Sequence, residues 1–396
     1  MDYKISTING VCSVVTDGSH YSPKSVDEGC YMVSVKDFTE YGFDFSGCRK
    51  ISEQNYEDLK KAGCIPEYGD ILVGKDGARY FEDIIIYRQP ERPALLSSIA
   101  ILRCNKDEIL PEYLYYLLKT PEFKKNVKDN YGSGSAIPRI ILKDFKRMPV
   151  QYPALSLQKK IVSVLEAIDA KIQTNSKIND NLQKQAQAIY REWFISRLED
   201  HTDQYRKVSL ADLMDYAGGS QPPASEFISE QRDGYVRFVQ IRDYESDSHI
   251  TYIPISGKNK ICEEHDIMIA RYGAALGRIC FGLNGAYNVA LAKVFPKQKY
   301  YREFLRCYLS SREFYEGINN KGGRSAQAGF NQSDIRSFEV FIPRNESIIK
   351  SFESLVAPIF EKRLHIIKEN QSLAAMRDAL LPKLMSGEVD VSAIQI

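Results

Sequence analysis

Few residues in the sequence have the types and spacing of a catalytic site. Residues 122–124 read Glu-Phe-Lys, an E-x-K triplet that resembles the carboxylate and lysine of metal-dependent nucleases. The triplet lies in an amphipathic helical pattern, and a similar segment at residues 313–315 reads Glu-Phe-Tyr, without the lysine. We therefore interpret Glu122 and Lys124 as part of a solvated helix face and predict no catalytic residue in this chain.

Motifs of DNA-modifying enzymes and metalloproteins are missing from the sequence. A DNA methyltransferase needs Asp or Asn before two prolines and an aromatic residue after them, to hold a flipped base. The only Pro-Pro pair lies in Gln-Pro-Pro-Ala at residues 221–224, which has neither. There is no Walker A loop, so no nucleotide-driven motor is predicted. The eight cysteines and five histidines are scattered without a CxxC pair, which favours reduced thiols and argues against a metal site.

The composition is that of an ordinary soluble globular protein, with 43% apolar and 27% charged residues. No stretch approaches the roughly 18 apolar residues that a membrane span requires, and the N-terminus has no apolar signal region. We expect a cytoplasmic protein without membrane contact. The net charge of +1 argues against nonspecific coating of nucleic acid, but it permits a positive charge concentrated on one face.

DNA contact requires Lys or Arg for phosphates, and Arg, Lys, Asn or Gln for base edges. The candidate DNA-binding residues of the first half are Lys36, Lys75, Arg79, Arg88, Ser133, Ser135 and Arg139. Those of the second half are Arg237, Gln240, Arg242, Arg271, Tyr272, Arg278, Arg324, Ser325 and Gln327. The serines lie in Gly/Ser turns at 132–135 and 322–325, where backbone N–H groups can approach a phosphate. For each single residue an ordinary exposed polar side chain is the alternative, whereas the set as a whole favours DNA contact.

The chain contains an internal duplication with a period near 190 residues. The segment EYLYYLLKTPEF around Phe123 matches EFLRCYLSSREF around Phe314 at an offset of 191. The following GSGSAIPRIILKDF is echoed by GGRSAQAGFNQSDI at an offset of 190, and Asp70 matches Asp266 at 196. Small changes of offset indicate insertions in surface loops. The two halves are therefore predicted to share one fold.

Each half divides into a globular part and a long helix. Short β-like runs at 71–73, 84–87 and 98–103 precede helical patterns near 111–128 and a closing strand near 146–152. From Ile161 to Trp193, residues of a coiled-coil seam recur at alternating steps of four and three. A second, less regular helical pattern contains Pro358, which we expect to be tolerated only in the first turn or two. The predicted domains are 1–153 (globular), 154–199 (helix), 205–345 (globular) and 346–390 (helix).

Three asparagines belong to the predicted seam. Asn175 and Asn179 stand where apolar residues are expected, and Asn370 matches Asn179 at an offset of 191. Buried asparagine pairs fix the register and orientation of a coiled coil at a cost in stability. Asparagines that face a bound partner or water would fit the pattern equally well.

The order of globular part, long helix, globular part and long helix resembles the specificity (S) subunits of type I restriction–modification enzymes over essentially the whole chain. The supporting stretches are VTDGSHYSPKSVDEGCYMVSVKDF near the start, GYVRFVQIRDY at 234–244, the two Gly/Ser turns that lead to a strand ending in proline, and LLPKLMSGEVD at 380–390. The resemblance implies two target recognition domains of mixed α/β fold, each reading one half of a split DNA sequence. It also implies that the two helices form an antiparallel coiled coil.

The resemblance further implies the partners: double-stranded DNA, two methyltransferase (M) subunits docked on the helices, and restriction/translocase (R) subunits. No cofactor is expected on this chain, because S-adenosylmethionine, ATP and Mg belong to those subunits. Since the two readers have diverged within one chain, we expect an asymmetric target. The alternatives are the specificity subunit of a related restriction system with other enzymatic partners, a self-sufficient DNA modification enzyme, and a structural coiled-coil protein. The missing motifs disfavour the second alternative, and the paired globular parts disfavour the third.

Overall fold

The computed structural model describes residues 3–132, 138–245, 249–322 and 329–393. Within these ranges the chain forms two compact units of mixed α/β structure. The first unit combines residues 1–172 with 372–396, and the second comprises 173–371. Each unit therefore contains one globular part together with portions of both long helices.

In the first unit a four-stranded antiparallel sheet, a three-stranded mixed sheet and two small ribbons carry the fold. The strands are β1 (Lys4–Thr7), β2 (Cys12–Asp17), β3 (Cys30–Val33), β4 (Phe38–Thr39), β5 (Gly42–Phe43), β6 (Arg49–Ile51), β7 (Ile71–Gly74), β8 (Ile84–Ile86), β9 (Ala94–Leu95), β10 (Ile99–Cys104) and β11 (Pro149–Tyr152). The helices are α1 (Ile8–Val11), α2 (Glu53–Lys61), α3 (Pro111–Lys119), α4 (Pro121–Asn130), α5 (Leu142–Arg147) and the long α6 (Leu155–Arg191).

The large sheet has the order β2-β10-β7-β8, and its central strand β10 separates two apolar cores. Successive side chains of a strand point to opposite faces. Ala100 and Leu102 accordingly pack with the helices, whereas Ile99 and Ile101 pack on the other side with the small sheet β6-β3-β9. The apolar run at 98–103 is thus a strand buried on both faces.

Local signals fix the helices that cover this sheet. Thr120 caps α4, because its Oγ1 accepts a hydrogen bond from the Phe123 N–H at 3.2 Å, and Pro121 occupies the first helical position. Phe123 and Val127 lie one turn apart on the buried face of α4. The E-x-K triplet therefore sits in a capped helix, where Lys124 pairs with Glu82 at 2.8 Å.

The second unit repeats this arrangement. Its strands are β12 (Tyr205–Ser209), β13 (Met214–Gly218), β14 (Tyr235–Val239), β15 (Tyr252–Pro254), β16 (Ile261–Cys262), β17 (Met268–Ala270), β18 (Ile279–Cys280), β19 (Gly285–Tyr287), β20 (Leu291–Pro296) and β21 (Glu339–Pro343). Its helices are α7 (Arg197–Asp200), α8 (Arg302–Leu309), α9 (Arg312–Gly322), α10 (Gln332–Arg336) and the long α11 (Glu346–Ser386). The sheet β13-β20-β17-β18 has the connectivity of β2-β10-β7-β8.

Equivalent hydrogen bonds support the duplication at the level of single residues. Asp70 Oδ2 accepts from the Glu67 N–H at 2.7 Å, and Asp266 Oδ2 accepts from the Glu263 N–H at 2.7 Å. Both carboxylates thus close the same turn before the third strand of their sheet.

Each globular part begins and ends in one two-stranded clasp. In the first, β1 pairs antiparallel with β11; in the second, β12 pairs antiparallel with β21, with Tyr205 opposite Pro343. The strand that enters each globular part therefore lies beside the strand that leaves it, about 4.8 Å away.

The two long helices pair within each unit. In the first unit, Leu165 of α6 shares the apolar core with Leu384 of α11. In the second, Asn175 bonds to Asn370, whereas Gln183, further along α6, bonds to Arg363, which comes earlier in α11. The helices therefore run antiparallel. The predicted fold class, two similar α/β domains with two long antiparallel helices, is confirmed.

Two details of the helices differ from the prediction. Pro358 lies in the fourth turn of α11, and the helix continues through it. Pro358 and Ser354 are both exposed, so water can satisfy the Ser354 carbonyl that loses its helical partner. Near the end of α6, Tyr190 and Phe194 are buried and the predicted seam residue Trp193 is only partly so. The buried residues there are four positions apart, and the second of them, Phe194, lies in a π-helical turn at Glu192–Ser196.

Candidate nucleic-acid interface

One candidate cation of each domain lies at an equivalent place, directly after the third strand of its four-stranded sheet. Lys75 follows β7, and its N–H donates to the Ser98 carbonyl at 2.8 Å. Arg271 follows β17, and its N–H donates to the Ala290 carbonyl at 2.8 Å. Lys75 and Arg271 are therefore structural equivalents, at the same offset of 196 as Asp70 and Asp266.

The strand that borders this place on the other side also has its equivalent. Asp17 ends β2 opposite Ala100, and Gly218 ends β13 opposite Ala292. In both domains the next residue is a glycine packed against backbone carbonyl groups, with no room for a side chain. Asp17 and Gly218 therefore occupy the same position, but only the first domain has a carboxylate there.

The first domain neutralises its cation internally. Lys75 Nζ lies 3.2 Å from Asp17 Oδ2 and 3.8 Å from Asp76 Oδ1, and only 7% of the lysine side chain is exposed. His20 Nε2 also lies 3.4 Å from Asp17. This placement favours a structural ion pair over phosphate contact for Lys75.

The second domain leaves its cation without such a partner. The Arg271 guanidinium lies 5.0 Å from the centre of the Tyr272 ring and 5.9 Å from that of the Phe330 ring. It forms no ion pair with any carboxylate in the described ranges. Its Nε is buried without a hydrogen-bond partner there. The arginine is thus held between aromatic rings, and no carboxylate of the described ranges pairs with it.

The other candidates of the first domain fall into two groups. Arg139 forms a β-bridge with Asp76, beside Lys75, and Arg79 is exposed and paired with Asp83 at 2.8 Å. Arg88 lies elsewhere, where Glu112 at 2.6 Å and Glu166 at 3.3 Å tie it to helices α3 and α6. Lys36 is exposed in a short helical turn at Val35–Asp37.

The remaining candidates of the second domain lie on β14, on the turn after it and at the β17–β18 hairpin. Arg237 lies on β14, and Gln240 donates to Thr251 Oγ1 at 3.2 Å. Arg242 is half exposed beside Asp243. Arg278 closes the hairpin that begins at Arg271, since its carbonyl accepts from the Ala270 N–H.

Five candidates, Ser133, Ser135, Arg324, Ser325 and Gln327, lie outside the described residues. The chain on their C-terminal side adjoins the equivalent cations: the Ile140 N–H donates to the Lys75 carbonyl, and Gly329 packs against Arg271 and Tyr272. Asp17, Gly218 and Phe330 also border this place and were not among the predicted site residues. An alignment of DGSH at 17–20 with GGSQ at 218–221 would have indicated the first two.

The seam asparagines lie between the helices of the second unit. Asn175 is buried, and its Nδ2 donates to Asn370 Oδ1 and to Glu369 Oε2, both at 2.9 Å. Asn179 Oδ1 accepts from Arg363 Nε at 2.8 Å. Burial, together with the charge of nearby Arg306, lowers the pKa of Arg363 to about 10. The polar residues of the seam thus bond across the helix pair.

No group of three or more His, Cys, Asp or Glu side chains could hold a metal ion in the part of the chain that is described. None of the helices described there is both long and apolar enough to cross a membrane.

Two diverged α/β domains on one antiparallel helix pair define the class of protein to which this chain is similar. Residues 2–184 match the model of the type I restriction modification DNA specificity domain. The MjaIX type I restriction enzyme specificity subunit of Methanocaldococcus jannaschii is 28% identical over 316 residues, which cover 73% of this chain and 71% of that protein. The HindI type I specificity subunit of Haemophilus influenzae is 22% identical over 430 residues, which cover 87% of this chain and 90% of that protein.

A solved structure shares the fold. The S subunit of a type I restriction–modification system from M. genitalium superimposes with a TM-score of 0.55 at 16% identity, covering 97% of this chain and 96% of that one. Residues 2–184 thus match a type I DNA specificity domain, and most of the chain is similar to type I restriction–modification specificity subunits.

Proposed function

We propose that this chain is the DNA-reading subunit of a type I restriction–modification enzyme and has no catalytic activity of its own. One globular domain reads each half of a split target, and the helix pair holds the methyltransferase subunits. S-adenosylmethionine, ATP and Mg are supplied on the M and R subunits. The names of the similar proteins support the assignment to such an enzyme.

One observation supports recognition of a two-part target. Two equivalent positions of the repeated fold have different side chains in the two domains. The first domain has Asp17 beside Lys75, whereas the second has Gly218 beside Arg271. Two domains with the same backbone but different polar groups at one place are expected to prefer different DNA sequences. The target of the pair is therefore expected to be asymmetric.

The test is methylation mapping. The chain is co-expressed with a type I methyltransferase subunit from its host, and modified bases are sequenced across the host genome. We expect one two-part asymmetric motif, which disappears when the gene for this chain is deleted. The purified chain alone should transfer no methyl group from S-adenosylmethionine to DNA. Methylation by the isolated chain, or an unchanged motif after its deletion, would contradict the proposal.

A further inference from the structure

The two domains treat the same cation position in opposite ways. In the first, Asp17 and Asp76 surround the Lys75 ammonium, so the pair adds no net positive charge to the surface. In the second, Gly218 stands in place of Asp17, and the Arg271 Nη1 fills the space that a side chain would take, since a Cβ added at Gly218 would collide with it. The cation is therefore paired with carboxylates in the first domain, whereas the equivalent cation of the second domain has no carboxylate beside it in the described ranges.

An arginine in this setting lacks acceptors that its chemistry requires. A guanidinium carries five N–H donors and no acceptor, and a buried donor without a partner is destabilising. The Arg271 Nε is such a donor, and no carboxylate in the described ranges offsets its charge. Tyr272 and Phe330 hold the side chain near one orientation, so little conformational freedom would be lost when a ligand binds. Acceptor groups from outside the chain would complete this site.

We propose that Arg271 donates to acceptor atoms of the DNA when the second domain binds its half-target, and that Lys75 makes no equivalent contact in the first domain. The inference rests on the proposed function and deepens it. Phosphate oxygens and the O6 and N7 atoms of guanine both present the acceptors that a guanidinium binds. The two half-sites should accordingly differ in how much their binding depends on this position.

The experiment uses the complex of this chain with its methyltransferase subunits, on a duplex carrying the mapped target. The variants are R271A, G218D and the double variant D17N/K75M. G218D gives the second domain the carboxylate of the first, which would pair with the Arg271 guanidinium once the end of that flexible side chain has shifted to make room for the new Cβ. D17N/K75M removes both charges of the 3.2 Å ion pair together, and the carboxylate that it leaves without the lysine, Asp76, is partly exposed. Fluorescence anisotropy measures the dissociation constant over a salt series, on the cognate duplex and on single-mismatch duplexes.

We expect R271A and G218D each to weaken cognate binding by about 5- to 150-fold, the range of a good polar contact to a base or a charged contact to a phosphate. D17N/K75M should change it less than about twofold. A loss shared by all sequences, with the salt slope reduced by about one, assigns the acceptor to a phosphate. A loss that relaxes one target position assigns it to guanine.

The inference is overturned if R271A binds like the wild type, or if D17N/K75M loses as much affinity as R271A does. Circular dichroism and melting of each variant complex show whether the fold is retained, and G218D tests the idea independently should R271A fold poorly. A wild-type complex that shows no sequence preference at all would contradict the proposed function. Wild-type affinity together with wild-type specificity in both single variants would contradict this inference alone.

Discussion

Asn175 of α6 and Asn370 of α11 form a direct hydrogen bond, with Nδ2 2.9 Å from Oδ1, in a polar stretch of the seam that also contains Asn179 and Arg363. The same Nδ2 lies 2.9 Å from Glu369 Oε2, so one buried amide is bound by two residues of the opposite helix. A polar pair of this kind favours one register of two antiparallel helices, because an axial slip would separate the two amides.

Replacing Asn175 by Leu should lower the free energy of unfolding by about 1–3 kcal/mol, because polar groups of Asn370 and Glu369 lose a buried partner. Urea unfolding followed by circular dichroism measures the change. Lys177→Leu, on the exposed side of α6, is the matched control and should have little effect. Equal losses in the two variants would show that the hydrogen bond does not stabilise the seam.

In the first unit Asp169 joins α3 to both long helices. It accepts from Tyr116 Oη at 2.6 Å and from Arg377 Nη1 at 2.8 Å, and burial together with this carboxylate raises the pKa of Tyr116. Asp169→Ala should destabilise the protein by about 3 kcal/mol, because it leaves a largely buried guanidinium without its buried partner. Tyr116→Phe, which removes one hydrogen bond only, should cost about 1 kcal/mol. Thermal and urea denaturation of both variants would reveal the opposite order if Asp169 were not the centre of the cluster.

The π-helical turn at Glu192–Ser196 determines which side chains face the second domain. Phe194 packs edge-to-face on Phe304 at 4.8 Å and on Phe352 at 4.9 Å between ring centres. Phe194→Ala should therefore cost about 3–5 kcal/mol in unfolding free energy. Its neighbour Ile195 is 37% exposed, so Ile195→Ala should change stability by only about 0.5 kcal/mol. Calorimetry of the two variants tests whether the turn orients the chain as described, and similar melting temperatures would contradict it.

The proposed function predicts that the two readers are separable. Replacing residues 205–345 by the equivalent domain of another specificity subunit should change one half of the target and preserve the other. The physical reason is that each globular part has its own apolar core and its own strand clasp. Methylation-site sequencing of the chimera measures the result. A change in both half-sites would mean that the two domains form one composite reading surface.

The sequence predicted the features that arise from periodicity and repetition. The duplication and the strand at 98–103 follow from matched segments and apolar runs, whereas the antiparallel helix pair was implied by the resemblance to specificity subunits. Pro358 was misjudged because tolerance of a proline depends on whether the carbonyl it displaces can reach water, and that depends on which face of the helix packs. The shift of the buried stripe to Tyr190 and Phe194 depends on aromatic partners far away in the chain.

The candidate interface was only partly predictable for the same reason. The positively charged residues can be listed from the sequence. Whether carboxylates neutralise them depends on their neighbours in the tertiary structure. Arg88 and Lys75 are bound by carboxylates that lie many residues away. Arg271 belongs to the same list, yet its neighbours are two rings and a glycine. The residue type alone does not show whether a cation is paired with a carboxylate.

The strand clasps also bear on the order in which the protein folds. Ser209 Oγ donates to the Arg336 carbonyl across 127 residues of chain, and Tyr205 pairs with Pro343 only when the whole intervening domain has brought its ends together. Closing so long a loop has a large entropic cost, which the compact interior must offset first. The clasp is therefore expected to form late in folding and to open early in unfolding. Its amide protons should exchange with solvent by smaller fluctuations than those of β20, at the centre of the same domain.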